Sequence, residues 1–166
     1  MPLRENREES KEGGLKLSEE NQFIIFNMDG EEFGIEITRA HEIVRMQGIT
    51  ELPQSSDFIE GIVNLRGEII TIIDLRKRFY MEGNINDQTR IIIIDIAEMK
   101  TGIMVDSISG VIRIDADSIS DPPGRISGIH GDYIQGIGRL DGRLIILLDL
   151  NQIFSSEELE EIKIAE

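Results

Sequence analysis

The chain has no cysteine among its 166 residues. That excludes disulfides, thiolate nucleophiles and zinc or iron–sulfur centres built on sulfur ligands. Histidine occurs twice, at His41 and His130, far apart and without an HExxH-like spacing, so each reads as a surface or internally satisfied imidazole. Tryptophan is missing, and no run of 18 apolar residues exists. Together with an N-terminal MPLRENREESKEGG that lacks an apolar stretch, this argues against membrane insertion or export and makes the cytoplasm the expected compartment. Positive charge is scarce as well. Lys and Arg number 17 against 32 Asp and Glu, a net charge of -15, and a nucleic-acid backbone or an anionic membrane calls for the opposite balance. No nucleic-acid partner is expected, and a basic partner surface fits better.

What the chain does have is a repeat. Residues 61–79 read GIVNLRGEIITIIDLRKRF, and 136–154, at a constant offset of 75, read GIGRLDGRLIILLDLNQIF. Eight of nineteen positions are identical, including Gly61/Gly136, Gly67/Gly142, Asp74/Asp149 and Phe79/Phe154. Upstream the offset is 68, where Gly34, Ile35, Ile43, Val44 and Arg45 match Gly102, Ile103, Val111, Ile112 and Arg113. One module is used twice; what the copies share is fold, and what they do not share is where function is to be sought.

Read in order, residues 1–20 carry charge and no apolar periodicity, and are expected to form a disordered arm. The rest, 21–154, forms one domain of two barrels, the first over about 21–86 and the second over about 87–154, with strands that can be exchanged at their edges. Asp29-Gly30 is a hairpin turn signal. The run RIIIIDI at 90–96 cannot face water on either side. Each copy offers about five short strands punctuated by Gly and Pro, which points to small antiparallel barrels, because closing a sheet removes its exposed edges. Ser155 and Glu158 form a capping-box pattern that opens a C-terminal helix over 155–166.

No catalytic constellation stands up. Gly136-Ile137-Gly138 lies between predicted strands rather than before a helix, and the carboxylates Asp115 and Asp117 read as solvated turn residues. The informative contrast is Asn64-Leu65-Arg66-Gly67 in copy one against Arg139-Leu140-Asp141-Gly142 in copy two. Gly67 and Gly142 are expected to supply a positive φ in the turn. Glu42, whose counterpart is Gly110, is an ion-pair partner for Arg66 that only copy one can supply. Two independent surface charges are the alternative, and an exposed pair would contribute only about 0–1 kcal/mol.

GIEITRAHEIVRM, FIEGIVNLRGEIITIIDLRKRF, TGIMVDSISGVIRI and YIQGIGRLDGRLIILLDLNQIF, in this order, resemble the CheW-like chemotaxis coupling proteins, from about Phe23 to Leu159. The resemblance implies a mostly β fold of two intertwined five-stranded SH3-like barrels sharing a hydrophobic junction, with short helical turns and a C-terminal helix. It implies no catalysis and no cofactor or metal. It implies an adaptor, a monomer in isolation, that joins the cytoplasmic tip of chemotaxis receptors to the regulatory domain of the histidine kinase CheA and is recruited to membrane-associated receptor arrays. The receptor groove then corresponds to Ile37, Ala40, Glu42, Ile43, Gly61, Asn64, Arg66, Gly102 and Val111. Ala40 departs from the bulkier aliphatic residue common there. Parts of 102–114 and 136–148 would meet the kinase, and an opposite face of barrel one would close array rings. The competing readings are a small double barrel that binds a metabolite and a detached regulatory domain of a kinase.

Overall fold

The computed structural model describes residues 21–53 and 55–165; the arm expected over 1–20 lies outside them. Copy one supplies β1 (Gln22–Met28), β2 (Glu31–Glu36), β3 (Ala40–Arg45), β4 (Ile59–Leu65) and β5 (Glu68–Asp74), followed by the single turn of α1 (Leu75–Arg78). Copy two supplies β6 (Arg90–Ile96), β7 (Met99–Val105) and β8 (Ser107–Arg113). Three two-residue strands follow in the connection, β9 (Ile119–Ser120), β10 (Arg125–Ile126) and β11 (Ile129–His130). The chain then completes β12 (Ile134–Leu140), β13 (Arg143–Leu148) and α2 (Ser156–Ala165). Among the described residues, five hairpins turn on two successive left-handed residues, Asp29-Gly30, Arg66-Gly67, Ala97-Glu98, Ser127-Gly128 and Asp141-Gly142. This geometry matches the twist of the strands it joins. Gly67 and Gly142 hold φ of +89° and +79°.

Apart from a two-stranded ribbon of β10 and β11, the strands form two sheets, ordered β8-β1-β2-β13-β12-β9 and β3-β6-β7-β5-β4. The division expected near residue 86 is therefore not the boundary between barrels. The copies exchange their first hairpins. Barrel one consists of β3, β4 and β5 of copy one with the β6–β7 hairpin of copy two; barrel two consists of β8, β9, β12 and β13 with the β1–β2 hairpin of copy one. The exchange is anchored by two parallel pairs, Thr71↔Thr101 and Ile72↔Gly102 in one barrel, Ile146↔Phe33 and Leu147↔Gly34 in the other, and these are the same pairs under the repeat offsets. Each sheet curls until its ends meet. Past β3, Thr50 and Ile62 exchange backbone hydrogen bonds of 2.9 Å, and past β8 the equivalent contact is made by β9, which pairs Ser120 with Ile137 of β12. The sixth strand of barrel two is thus the continuation of its third, and both barrels follow one five-stranded plan.

The exchange also explains the isoleucine run. Ile91 and Ile93 of β6 point into the interior of barrel one with Val63, Leu65, Ile70, Ile72 and Met104. Ile92, Ile94 and Ile96 point the other way, into a core shared by both barrels. β1 does the same, Phe23 and Ile25 facing the interior of barrel two while Ile24, Phe26 and Met28 join the shared core. A strand that serves its own barrel on one face and the junction on the other must be apolar throughout.

Helix α2 follows copy two in sequence but docks on barrel one. Ile162 is fully buried, its carbonyl accepts from Thr71 Oγ1 at 3.3 Å, and Glu161 accepts from Ser56 Oγ at 2.6 Å. Its start is fixed by the reciprocal bonds of a capping box: Ser155 N–H donates to Glu158 Oε1 at 2.8 Å, and Glu158 N–H to Ser155 Oγ at 3.1 Å.

Candidate functional site

Strand β3 lies at one end of the barrel-one sheet and the β4–β5 hairpin at the other, so a side chain from each can meet only because the sheet closes. At that seam the Arg66 guanidinium donates to the Glu42 carboxylate. Asn64 shapes the turn that presents Arg66, its side-chain oxygen accepting from Gly67 N–H at 2.8 Å. Arg66 is 68% exposed and Glu42 34%. In water an ion pair of this kind adds only about 0–1 kcal/mol to stability, so the pair marks and orients the seam more than it holds the barrel together.

The other residues proposed for the groove separate into two groups. Ile43 and Val111 are repeat equivalents on β3 and β8, one on each barrel, and expose 38% and 43% of their surface. Ala40 is half-buried against the shared core. Ile37, Gly61 and Gly102 are buried, and they do not present a groove surface. A methyl group on Gly61, where φ is +146°, would sit 2.1 Å from the Thr50 carbonyl oxygen that closes the barrel. One on Gly102 would meet Ile72 at 2.6 Å and Ile91 at 2.8 Å. These glycines are required by close packing. Both histidines have local partners: His41 Nε2 lies 2.8 Å from Asp95 Oδ1, and His130 Nδ1 accepts from Asp132 N–H at 3.1 Å.

A second polar centre in barrel one is absent from the sequence reading. Arg76, on α1, is 3% exposed. Its Nε and Nη2 donate to the two oxygens of Asp74 at 2.9 and 3.0 Å, and its Nη1 donates to Asp106 at 2.7 Å and to the Asn84 carbonyl at 3.2 Å. Burial pulls the guanidinium pKa down, and the bonds to Asp74 and Asp106 more than reverse this, so it ends above its ordinary value. Nearby, Arg78 lies over the Tyr133 and Phe154 rings at 5.1 and 5.7 Å and donates to the Ile153 carbonyl at 2.7 Å, tying α1 to the segment that leads into α2. The signal for both was in the repeat: LRKRF at 75–79 faces LNQIF at 150–154, so three cations of copy one have neutral counterparts.

Two exchanged barrels, a shared core, and an ion pair that closes one seam but not its equivalent set the frame for comparison with known proteins. The family model described as CheW-like domain matches residues 22–158. The chain belongs to the CheW-like family. Among curated relatives, the chemotaxis protein CheW of Klebsiella aerogenes is 36% identical over 151 residues, covering 90% of each chain. That of Treponema pallidum is 36% identical over 149 residues, 87% of this chain and 88% of its own. Among solved structures, the scaffolding protein TtCheW from Thermoanaerobacter tengcongensis superposes with a TM-score of 0.77 at 37% identity, covering 83% of this chain and 94% of its own. The CheW-like domain thus takes in both barrels and ends within the first turn of α2, and the Glu42–Arg66 seam lies well inside it.

Proposed function

We propose that this chain is a non-catalytic adaptor of bacterial chemotaxis that couples the cytoplasmic tip of receptors to the regulatory domain of the histidine kinase CheA. Family membership supports the adaptor role, since the matched relatives are chemotaxis and scaffolding proteins. The observation that carries the receptor contact is the Glu42–Arg66 pair, present in barrel one only; the next residue along β3, Ile43, is exposed. A receptor tip is helical with an apolar stripe. An exposed aliphatic on the strand that pairs the guanidinium offers such a helix an apolar contact, and the guanidinium a charged anchor. Contacts of this size are weak singly, and array geometry would supply avidity.

The test is capture of receptor signalling fragments by Arg66→Glu, which places a second carboxylate against Glu42. Capture is lost while the melting temperature stays within a few degrees of wild type; undiminished capture removes Arg66 from the site. The exchange Glu42→Arg with Arg66→Glu separates two roles. It restores capture if the pair only fixes the seam, and fails to do so if Arg66 touches the receptor. The kinase arm is read by chemical-shift mapping with the regulatory domain, whose footprint must lie apart from that of the receptor fragment.

A further inference from the structure

In barrel one the ends of the parallel strands β5 and β7 meet at the Arg76 guanidinium, held by Asp74 and Asp106. The repeat places a second such location in barrel two, where the parallel strands β2 and β13 end side by side. Asp149 stands there in the position of Asp74 and keeps its local bond: Asn151 N–H donates to Asp149 Oδ1 at 3.0 Å, as Arg76 N–H does to Asp74 Oδ1 at 3.0 Å. The cation is missing, because the counterpart of Arg76 is the shorter Asn151.

In its place is an open pocket of about 250 Å³ lined by Glu36, Arg39, Gln135, Asp149 and Asn151. Glu36 occupies the position of Met104, the residue in register with Asp74 in barrel one, and so brings a second carboxylate; it is bonded to Gln135 Nε2 at 2.8 Å. Arg39, the one cation on the wall, turns its guanidinium to Asn151 Oδ1 at 3.2 Å and to the Asp95 carbonyl at 2.9 Å. Among the described residues, no donor reaches Asp149 Oδ2.

We infer that this pocket receives a guanidinium group from outside the chain, held by Asp149 and Glu36 as Asp74 and Asp106 hold Arg76. The bidentate match of a planar guanidinium to a carboxylate favours arginine over lysine. The site lies on the barrel that lacks the Glu42–Arg66 pair, so it stands or falls independently of the receptor reading.

The experiment is chemical-shift mapping of the whole chain with N-acetyl-arginine amide at millimolar concentration, the range of a single accessible ion-paired contact. The neutral citrulline analogue is the control, and free arginine is the second source. The amides of Gln135, Asp149 and Asn151 move with the arginine probe and not with citrulline. Binding weakens roughly tenfold or more in Asp149→Asn, which loses a charge-assisted bidentate contact. It vanishes in Asn151→Arg, where the new side chain fills the seat as Arg76 fills its own. Free arginine binding more tightly than the capped form identifies a free amino acid, with Arg39 facing its carboxylate; capped arginine binding as well or better identifies an arginine carried on a protein. No shifts, equal shifts with citrulline, or a folded Asn151→Arg that still binds would each overturn the inference.

Discussion

Replacing Arg76 by methionine keeps most of the side chain's apolar reach and removes its charge. Asp74, whose side chain is only 5% exposed, then loses both guanidinium bonds and keeps a single backbone N–H from residue 76. Asp106 is less affected: it is 27% exposed and still accepts from Asp29 N–H at 2.8 Å. The cost therefore falls on one stranded buried carboxylate. Breaking a buried pair in this way costs about 3–5 kcal/mol, which for a chain of this size lowers the melting temperature by roughly 6–20 °C. Thermal and urea unfolding followed by circular dichroism measure it, with Asp74→Asn/Arg76→Met as the partner variant. The double variant should recover much of the loss, because neither charge is then stranded. The deficit should persist from acid to neutral pH as far as Arg76 is concerned. Its pKa is raised in the fold, so its contribution is complete below the unfolded value and fades only as a strongly alkaline pH passes the folded one. A single variant within about 2 °C of wild type, or a double variant no better than the single, would refute the account, since ~1 kcal/mol already moves the midpoint by that much.

Gly61→Ala should unfold barrel one rather than trim a binding surface, since the new methyl meets the Thr50 carbonyl at 2.1 Å; loss of the cooperative melt, not selective loss of receptor capture, is the expected result. Glu32 is held below the ordinary carboxylate range, first by the hydrogen bond from Arg143, against which burial works, and then by that charge. A depressed carboxyl stabilises above its unfolded pKa and ceases to as pH falls through the folded value. The melting difference between wild type and Glu32→Gln should therefore be largest near neutrality and close in acid, which a pH series of melts checks.

The strand plan was legible because glycines and apolar runs punctuate it twice at fixed offsets, and the capping box at Ser155 and Glu158 placed α2. That strands could be exchanged at the barrel edges was expected; that each copy gives up its whole first hairpin was not legible. The two copies carry the same apolar pattern, so β6 fits the sheet of either, and only the three-dimensional register of β5 beside β7 decides. The Glu42–Arg66 pair could be found because neither residue has a charged twin of the same sign in copy two. Arg76 follows the same rule yet is not legible, because a charged run after a strand reads as solvated surface until a single turn of helix folds one member inward. Gly61 and Gly102 show the converse. A motif can mark a site's neighbourhood through residues whose own task is to let backbones approach.

Because each barrel takes its opening hairpin from the opposite half of the chain, linear position is a poor guide to spatial address. A lesion at Phe26 or Phe33 disturbs strands encoded more than a hundred residues later, at β12 and β13, and one at Ile92 disturbs the strands that carry Arg66. Defects that cluster between Gln22 and Glu36 therefore report on the second barrel, and genetic maps that split the chain at its middle assign them to the wrong barrel.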